Sequence, residues 1–306
     1  AGSRVYSLAT RSDALHPGCP PRLGAAWHAD SLGEVDLLGT ADVDGDAAPD
    51  LVGMRGDELF WLEAGEGGWR TRRVATIPAG RTQGFATGDL VAGGRSELVF
   101  TRGKALHMAE IPKDPGGPSP WRVTTLATDS EEEGVALGDL DRDGDLDVAA
   151  HAADGHEVLW YENPARAGVP WLRHSLFRST RWLDRIAIAD LDRDGRLDVA
   201  FSQESPDWEP NSGVFWLAAP VDPLAGAWQA HEIIRLRSVN SLSVGDMDGD
   251  GDPELVVAEH TDQVREAGAL DNRTLVLENR DEARHWEAHV VERGGHSSHL
   301  GAKLGD

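Results

Sequence analysis

The chain has 306 residues, 40% of them hydrophobic, and a formal net charge of −24 at pH 7. This acidity argues against binding to nucleic acid or to anionic membrane surfaces, while the hydrophobic content suffices for a globular core. The sequence has no apolar run of about 18 residues that would cross a bilayer. Its single cysteine, Cys19, cannot form an internal disulfide.

The N-terminal segment predicts two strands, at 4–9 and 25–28, separated by a proline-containing loop around Cys19. The second of them contains Trp27, placed like the tryptophans of later strands. We therefore expect both to be outer strands of a sheet.

An acidic loop follows and recurs along the chain. Each full copy has carboxylates at its first, third, fifth and ninth positions. The four full copies are Asp42, Asp44, Asp46 and Asp50; Asp139, Asp141, Asp143 and Asp147; Asp190, Asp192, Asp194 and Asp198; and Asp246, Asp248, Asp250 and Glu254. A glycine such as Gly144 at the sixth position permits a tight turn, although Ala47 replaces it in the first copy. A degenerate copy, 89–97, is acidic only at its first and ninth positions, and the chain ends on Asp306 as if on a further first position.

Oxygen ligands at this density suit Ca²⁺, which takes six to eight oxygens at about 2.3–2.6 Å. An EF-hand is excluded because position twelve is never a glutamate and each loop runs into a short apolar segment, such as 148–150. The sequence therefore predicts three to four structural Ca²⁺ sites, each in a turn between two strands.

The loops mark a repeat whose first aspartates are 47, 50, 51, 56 and 60 residues apart. Each unit predicts four strands by period-two alternation between glycine, proline and aspartate. In the third unit these are 135–138, 147–150, 157–162 and a strand beginning at Trp171. Short strands repeating at about 50 residues are typical of β-propeller blades.

The loops and their spacing resemble the FG-GAP/VCBS repeat family, whose blades bind calcium like those of integrin α chains. The resemblance covers about residues 30–306 and implies an all-β propeller with Ca²⁺ between the first two strands of a blade. It also implies that these ions tie strands together and leave no position open for a substrate.

We expect one six-bladed propeller over 1–306, with seven blades as the alternative if the chain is cut from a longer one. The predicted blades are about 31–78, 79–128, 129–179, 180–236 and 237–294. A composite blade from 1–30 and 295–306 would close the ring and leave no open sheet edge.

Function is expected at the blade ends opposite the acidic loops. The residue six positions before each leading aspartate enters the central channel there, giving Asp36, Gln83, Glu133, Asp184, Asn240 and, beside Leu300, His299. Lys303 breaks a row of small residues and is expected to project into the channel. The loops between second and third strands add His151, His156 and His260, and two tryptophans outside the repeat pattern, Trp182 and Trp208, suit stacking on sugar rings.

Three functions remain open. The first is a secreted or cell-surface module that recognises carbohydrate or protein. The second is a metal-dependent, sugar-active enzyme of the lyase, dehydratase or isomerase type. Its candidate residues are Asp36, Glu133, Asp184, His299 and Lys303, with an additional divalent metal in the channel. The segment 295–302 resembles part of VCBS propellers linked to sugar-lyase or dehydratase chemistry, such as aldos-2-ulose dehydratase. The third is a structural spacer with a bare central face.

Overall fold

A computed structural model describes residues 3–8, 27–33, 37–46, 50–65, 68–91, 93, 95–166, 168–205, 210–259 and 272–293. These residues form twenty-two β-strands, β1 to β22, and no helix. A bilayer-spanning helix is accordingly absent from the described part of the chain. The chain divides into two compact units, Ala1–Gly80 with Ile111–Arg122, and Arg81–Glu110 with Val123–Asp306.

The first unit contains an N-terminal hairpin and one four-stranded sheet. In the hairpin, β1 (Ser3–Leu8) pairs antiparallel with β2 (Trp27–Gly33), close to the two predicted strands. The sheet contains β3 (Leu37–Ala41), β4 (Asp50–Arg55), β5 (Glu58–Gly65) and β6 (Gly68–Thr76), paired in chain order. Trp121 donates its backbone N–H to the carbonyl of Val74 at 2.7 Å, which attaches the 111–122 segment to β6.

The second unit contains four further four-stranded antiparallel sheets, each with its strands in chain order. The first sheet has β7 (Phe85–Gly88), β8 (Glu97–Arg102), β9 (Ala105–Glu110) and β10 (Arg122–Ala127). The second has β11 (Val135–Gly138), β12 (Asp147–His151), β13 (Glu157–Glu162) and β14 (Leu172–Arg178). The third has β15 (Trp182–Ala189), β16 (Asp198–Glu204), β17 (Ser212–Ala218) and β18 (Gln229–Leu236). The fourth has β19 (Val239–Gly245), β20 (Glu254–Glu259), β21 (Arg273–Arg280) and β22 (His285–Arg293).

The first strands of these four sheets lie side by side, since β7 contacts β11, β11 contacts β15 and β15 contacts β19. Apolar side chains fill the space between successive sheets. Between the second and third sheets, Leu140 and Trp160 pack with Phe201 and Leu217, all at most 2% exposed. Full burial of such a side chain contributes about 1.5–3 kcal/mol. The core is therefore shared between neighbouring sheets, as in propeller blades.

The fold is an all-β propeller, and the predicted four-strand unit is confirmed. The acidic loops join the first and second strands, as at 139–147 between β11 and β12, and each is followed by a strand and not by a helix. The composite closing blade stays a prediction, because 9–26 and 294–306 lie outside the described residues.

Candidate functional site

The acidic loops are held by hydrogen bonds from their own backbone N–H groups to their aspartate side chains. In the loop at 139, Asp139 Oδ2 accepts from Gly144 N at 3.1 Å, Asp141 Oδ1 from Asp143 N at 3.1 Å, and Asp143 Oδ1 from Asp145 N at 2.9 Å. The loops at 190 and 246 repeat all three bonds. Aspartate side chains that accept from a residue two positions on favour turns over strands. The repeated sequence pattern thus folds into a repeated loop.

Left-handed backbone occurs at two positions of the loops at 139, 190 and 246, and at one described position of the loop at 42. The sixth position is a glycine with positive φ in three loops, at Gly144 (+98°), Gly195 (+82°) and Gly251 (+92°). The fourth position is also left-handed, and its residues are Gly45 (+84°), Arg142 (+66°), Arg193 (+58°) and Gly249 (+80°). Sequence reasoning identified the sixth position and missed the fourth, although the two glycines there were a usable signal.

The carboxylate at the ninth position of each loop accepts a hydrogen bond from the backbone N–H at the second position. Asp147 is 1% exposed, and it accepts from Leu140 N at 3.0 Å and from Asn163 N at 2.8 Å. The corresponding carboxylates accept the same second-position N–H in every other loop, in Asp50, Glu97, Asp198 and Glu254. The ninth position therefore has a structural role of its own, which the degenerate loop at 89 retains.

Burial raises the pKa of Asp147 to about 7 despite its backbone hydrogen bonds, and the charges of Asp141 and Asp143 act in the same direction. Burial likewise raises the pKa of Asp198 to about 7. The pKa values of Asp50, Asp141, Asp192 and Glu254 are also raised, with burial as the largest cause in each case. Carboxylates that are crowded and partly desolvated in this way favour a bound cation.

The predicted metal ligands come together in four groups whose oxygens lie within 4.8 Å of one another. These are Asp42, Asp44 and Asp50; Asp139, Asp141 and Asp147; Asp190, Asp192 and Asp194; and Asp246, Asp248 and Asp250. Within the described ranges, the loop at 89 forms no such group. Three or four carboxylate oxygens in a tight loop fit a hard cation such as Ca²⁺.

A fifth group lies on the outer strands of the last sheet and consists of Glu278, Glu287 and His289. His289 Nε2 lies 2.7 Å from Glu278 Oε2, and the Arg280 guanidinium pairs with Glu278 and lies 3.9 Å from Glu287. Arg280 and His289 already pair with these carboxylates, which distinguishes the cluster from the acidic loops.

At the opposite end of the blades, side-chain hydrogen bonds connect residues near the starts of three first strands, β7, β11 and β15. Glu133 accepts a hydrogen bond from the Gln83 side-chain amide, and Arg185 Nη1 lies 2.9 Å from its other carboxylate oxygen. Arg185 also donates to the backbone carbonyl of Glu133 at 2.7 Å. The predicted site residues Gln83 and Glu133 are therefore in contact. Arg185 links them to the next blade, and it directly follows the predicted site residue Asp184.

Asp184 and Arg185 lie in a β-bulge of β15. Leu183 pairs with Gln203 and Ile186 pairs with Phe201, which leaves two residues opposite Ser202. Asp184 is 2% exposed, and its Oδ1 lies 3.2 Å from Arg185 Nε. Burial raises the pKa of Asp184 well above its usual value, and the charges of Glu204 and Glu133 add to this against the Arg185 guanidinium. Bulges redirect side chains, and this one contains Asp184 and Arg185, which contact each other.

Other predicted face residues are buried. His151 is 0% exposed, and neither ring nitrogen has a hydrogen-bond partner. Burial lowers the pKa of His151 to about 3, and the positive charge of Arg185 contributes. Asn240 is 1% exposed, next to a register shift between Val239 and Ser241. The His151 ring and the Asn240 amide therefore do not line the exposed surface at these blade ends.

Trp182 is the exposed aromatic residue predicted at this end, with 48% of its surface accessible. A Cβ on Gly155 would lie 2.0 Å from the indole, so the ring rests directly on the Gly155 backbone. His156 packs at 4.9 Å between ring centroids, and Leu183 N donates to Gly155 O at 2.8 Å. Glu204 is the cross-strand partner of Trp182. The indole is thus a fixed platform next to charged groups.

Five predicted site residues lie outside the described part of the chain. They are Asp36, Trp208, His260, His299 and Lys303. Within the described part, the carboxylate and histidine groups suited to a metal lie in the acidic loops and on β21–β22, not around Glu133 and Asp184.

Comparison with known proteins gives matches at two levels. Residues 139–201 match the FG-GAP-like repeat and residues 238–270 match the FG-GAP repeat. No curated protein sequence matches the chain. Among solved structures, similar chains include an Agrocybe aegerita lectin that recognises non-reducing terminal N-acetylglucosamine, with 14% identity over 86% of this chain and 85% of the lectin, at a TM-score of 0.43. AofleA from Arthrobotrys oligospora has 10% identity over 83% of this chain and 70% of its own, at a TM-score of 0.46. The V. cholerae biofilm matrix protein Bap1 has 17% identity over 88% of this chain and 40% of its own, at a TM-score of 0.41.

The two matched segments contain three of the four full acidic loops, those beginning at Asp139, Asp190 and Asp246. The resemblance predicted from those loops is confirmed, since residues 139–201 and 238–270 contain FG-GAP-type repeats.

Proposed function

We propose that this protein is a calcium-stabilised recognition propeller that binds carbohydrate at the blade ends carrying Trp182. The observation that carries the proposal is the exposed indole on the Gly155 backbone, 48% accessible and held in place. An aromatic face of this kind stacks on the apolar face of a pyranose, and neighbouring polar groups bond the hydroxyls.

The polar groups come from a network that spans three blades. Gln83, Glu133 and Arg185 are partly exposed and hold one another in position. Carboxylates, amides and guanidinium groups offer both acceptors and donors to sugar hydroxyls. Rigid side chains lose little entropy when a ligand binds, which favours recognition by this surface.

The acidic loops at the other blade ends are proposed to hold Ca²⁺ at 42–50, 139–147, 190–198 and 246–254. The grouped carboxylates and the raised pKa of Asp147 support this. When bound, the cation supplies charge neutralisation and cross-links the first two strands of a blade. Calcium sites of extracellular modules bind at about 10⁻⁴–10⁻³ M, and on this basis we also propose a secreted or cell-surface location.

The alternative of a metal-dependent sugar-active enzyme has no specific observation in its favour. The pKa of Asp184 is raised by burial, but the side chain is 2% exposed and pairs with Arg185 at 3.2 Å. A substrate would not reach it without rearrangement. The arrangement favours binding over catalysis.

The test is a glycan array followed by calorimetry on the sugars that bind. Trp182→Ala should weaken binding at least tenfold at unchanged melting temperature. Leu172→Ala is the matched control, because Leu172 is an apolar side chain of similar exposure (56%) on β14. If no glycan binds, or if Trp182→Ala binds like the wild type, the carbohydrate proposal fails. Binding to a protein partner without any glycan would favour the protein-recognition alternative, and turnover of a bound sugar would favour the enzyme.

A further inference from the structure

Two arginines connect the acidic loops of consecutive blades. Arg142 occupies the fourth position of the loop at 139, and its guanidinium donates to the backbone carbonyl of Gly195 in the loop at 190. Arg193 occupies the fourth position of the loop at 190, and its Nη1 lies 2.9 Å from Asp252 Oδ1 in the loop at 246. The three loops are thus joined in series by equivalent residues.

Both arginines depend on the conformation of the loop that carries them. Arg142 and Arg193 have φ of +66° and +58°, a region that L-residues rarely adopt. The loops at 42 and 246 have Gly45 and Gly249 at this position, where the conformation is easily reached. An arginine in this position keeps its direction only while the acidic loop around it is formed.

Both arginines also end at the same part of the next loop. Gly195 is the sixth position, which bonds the first ligand Asp190, and Asp252 is the seventh, whose N–H bonds Asp250. Arg193 Nη2 lies beside Gly251, the sixth position of its target loop, 3.2 Å from where a Cβ would be. The contacts therefore require the next loop to be formed too.

We propose that Arg142 and Arg193 are positioning residues that couple calcium binding between the loops at 139, 190 and 246. The proposal rests on the calcium sites of the proposed function. A cation that orders one loop fixes its arginine, and the arginine then favours the formed state of the next loop. Such coupling is reciprocal, so each filled loop raises the affinity of its neighbour.

The experiment measures calcium binding by the full chain, stripped with chelator, using isothermal titration calorimetry. The loop at 139 is disabled by Asp139→Asn with Asp141→Asn, once in the wild type and once with Arg142→Gly and Arg193→Gly. Glycine is the natural fourth residue of two loops, so these changes remove the contact without straining the backbone. In the arginine-containing chain, loss of the loop at 139 should weaken calcium binding at the loops at 190 and 246 by about fivefold. In the chain with Arg142→Gly and Arg193→Gly, disabling the loop at 139 should leave the calcium affinities of the loops at 190 and 246 unchanged.

Removing two positive charges could change every calcium affinity by a general effect. It would not change the difference between the effects of disabling the loop at 139 with and without the arginines, and a double-mutant cycle isolates that difference. Hydrogen exchange of residues 190–198 supplies a second measurement, and their protection should fall in the disabled chain only when the arginines are present. Equal affinities with and without the arginines, while calcium still binds, would overturn the coupling and leave the calcium sites standing. A chain that binds no calcium would overturn both.

Discussion

The side-chain amide of Asn163 donates a hydrogen bond to the backbone carbonyl of Leu90 at 2.9 Å, across the seam between two blades. The same amide donates to Leu146 O, also at 2.9 Å, inside its own acidic loop. Asn279 repeats this arrangement two blades later, with Leu191 O at 2.8 Å. An asparagine at the end of a third strand thus joins its own loop to the loop of the preceding blade.

Asn163→Ala should therefore destabilise the protein by about 1–3 kcal/mol, because the buried carbonyl of Leu90 loses this donor. Asn279→Ala should have an effect of the same size, measured as a shift of the urea midpoint at constant m-value. Asn211→Ala, at a half-buried asparagine directly before β17, is the control for loss of an asparagine outside the acidic loops. Wild-type stability in both seam variants would show that the inter-blade bonds contribute little.

The second prediction concerns removal of the cation. With calcium at a hundred times its Kd, each filled loop should add about 2.7 kcal/mol to the free energy of unfolding. Chelation should therefore lower the melting temperature, and Asp139→Asn with Asp141→Asn should reduce the chelator-sensitive part. Asp89→Asn is the matched control, because the loop at 89 lacks the central carboxylates. Chelator-independent melting of the wild type would contradict this prediction.

A third prediction separates the two roles of the ninth position. Glu97 is 6% exposed and accepts from Leu90 N at 2.9 Å and Val91 N at 3.1 Å. Glu97→Ala should cost about 1–3 kcal/mol by leaving a buried N–H unpaired, equally with and without calcium. Glu254→Ala should cost more when calcium is present, since this carboxylate closes a full loop. A calcium-dependent effect at Glu97 would show that the degenerate loop also binds the cation.

The sequence predicts the features of this architecture that depend on residues close together in the chain, namely the strands and the acidic loops. Period-two alternation placed β13 at Glu157–Glu162, and the spacing of aspartates placed the loops. The burial of His151 was not readable, because it depends on Gly134 and Ile186, which adjoin each other only in the folded sheet stack. The contact of Arg142 with Gly195 joins residues 53 apart and depends on the rotation between blades. Asn163 and Asn279 carried a signal that was missed, since each follows a glutamate at the end of a third strand.

The fourth prediction tests the tryptophan platform without changing the tryptophan. Gly155 has φ of +70°, and an added Cβ would lie 2.0 Å from the Trp182 ring. Gly155→Ala should cost about 1–2 kcal/mol for the left-handed backbone alone, and it should also displace the indole. We expect a shifted tryptophan emission spectrum and weaker sugar binding.

Gly168→Ala is the matched control for this change. Gly168 has φ of +80°, but an added Cβ would meet nothing within 4 Å. It should show the backbone cost with unchanged emission and binding. If both variants bind sugar equally well, Trp182 is not the platform.

The fifth prediction is a pH dependence caused by His151. Its pKa is about 3 in the folded protein, because burial and the Arg185 charge disfavour the protonated ring, against about 6.5 in the unfolded chain. Between these two pH values this histidine binds more protons in the unfolded state than in the folded state, so acidification lowers its contribution to stability. The slope is about 1.4 kcal/mol per pH unit, which gives a loss of about 2 kcal/mol at pH 5 relative to neutral pH.

His151→Leu removes this proton uptake and the two ring nitrogens that lack hydrogen-bond partners. Leucine fills the buried position with an apolar side chain of similar volume. The variant should be at least as stable as the wild type at pH 7.5, and its advantage should grow by about 2 kcal/mol at pH 5. Urea unfolding at saturating calcium measures both values and keeps the loop carboxylates in one state. Parallel pH profiles for the two proteins would mean that the ring is protonated without penalty, and therefore that His151 is in contact with solvent.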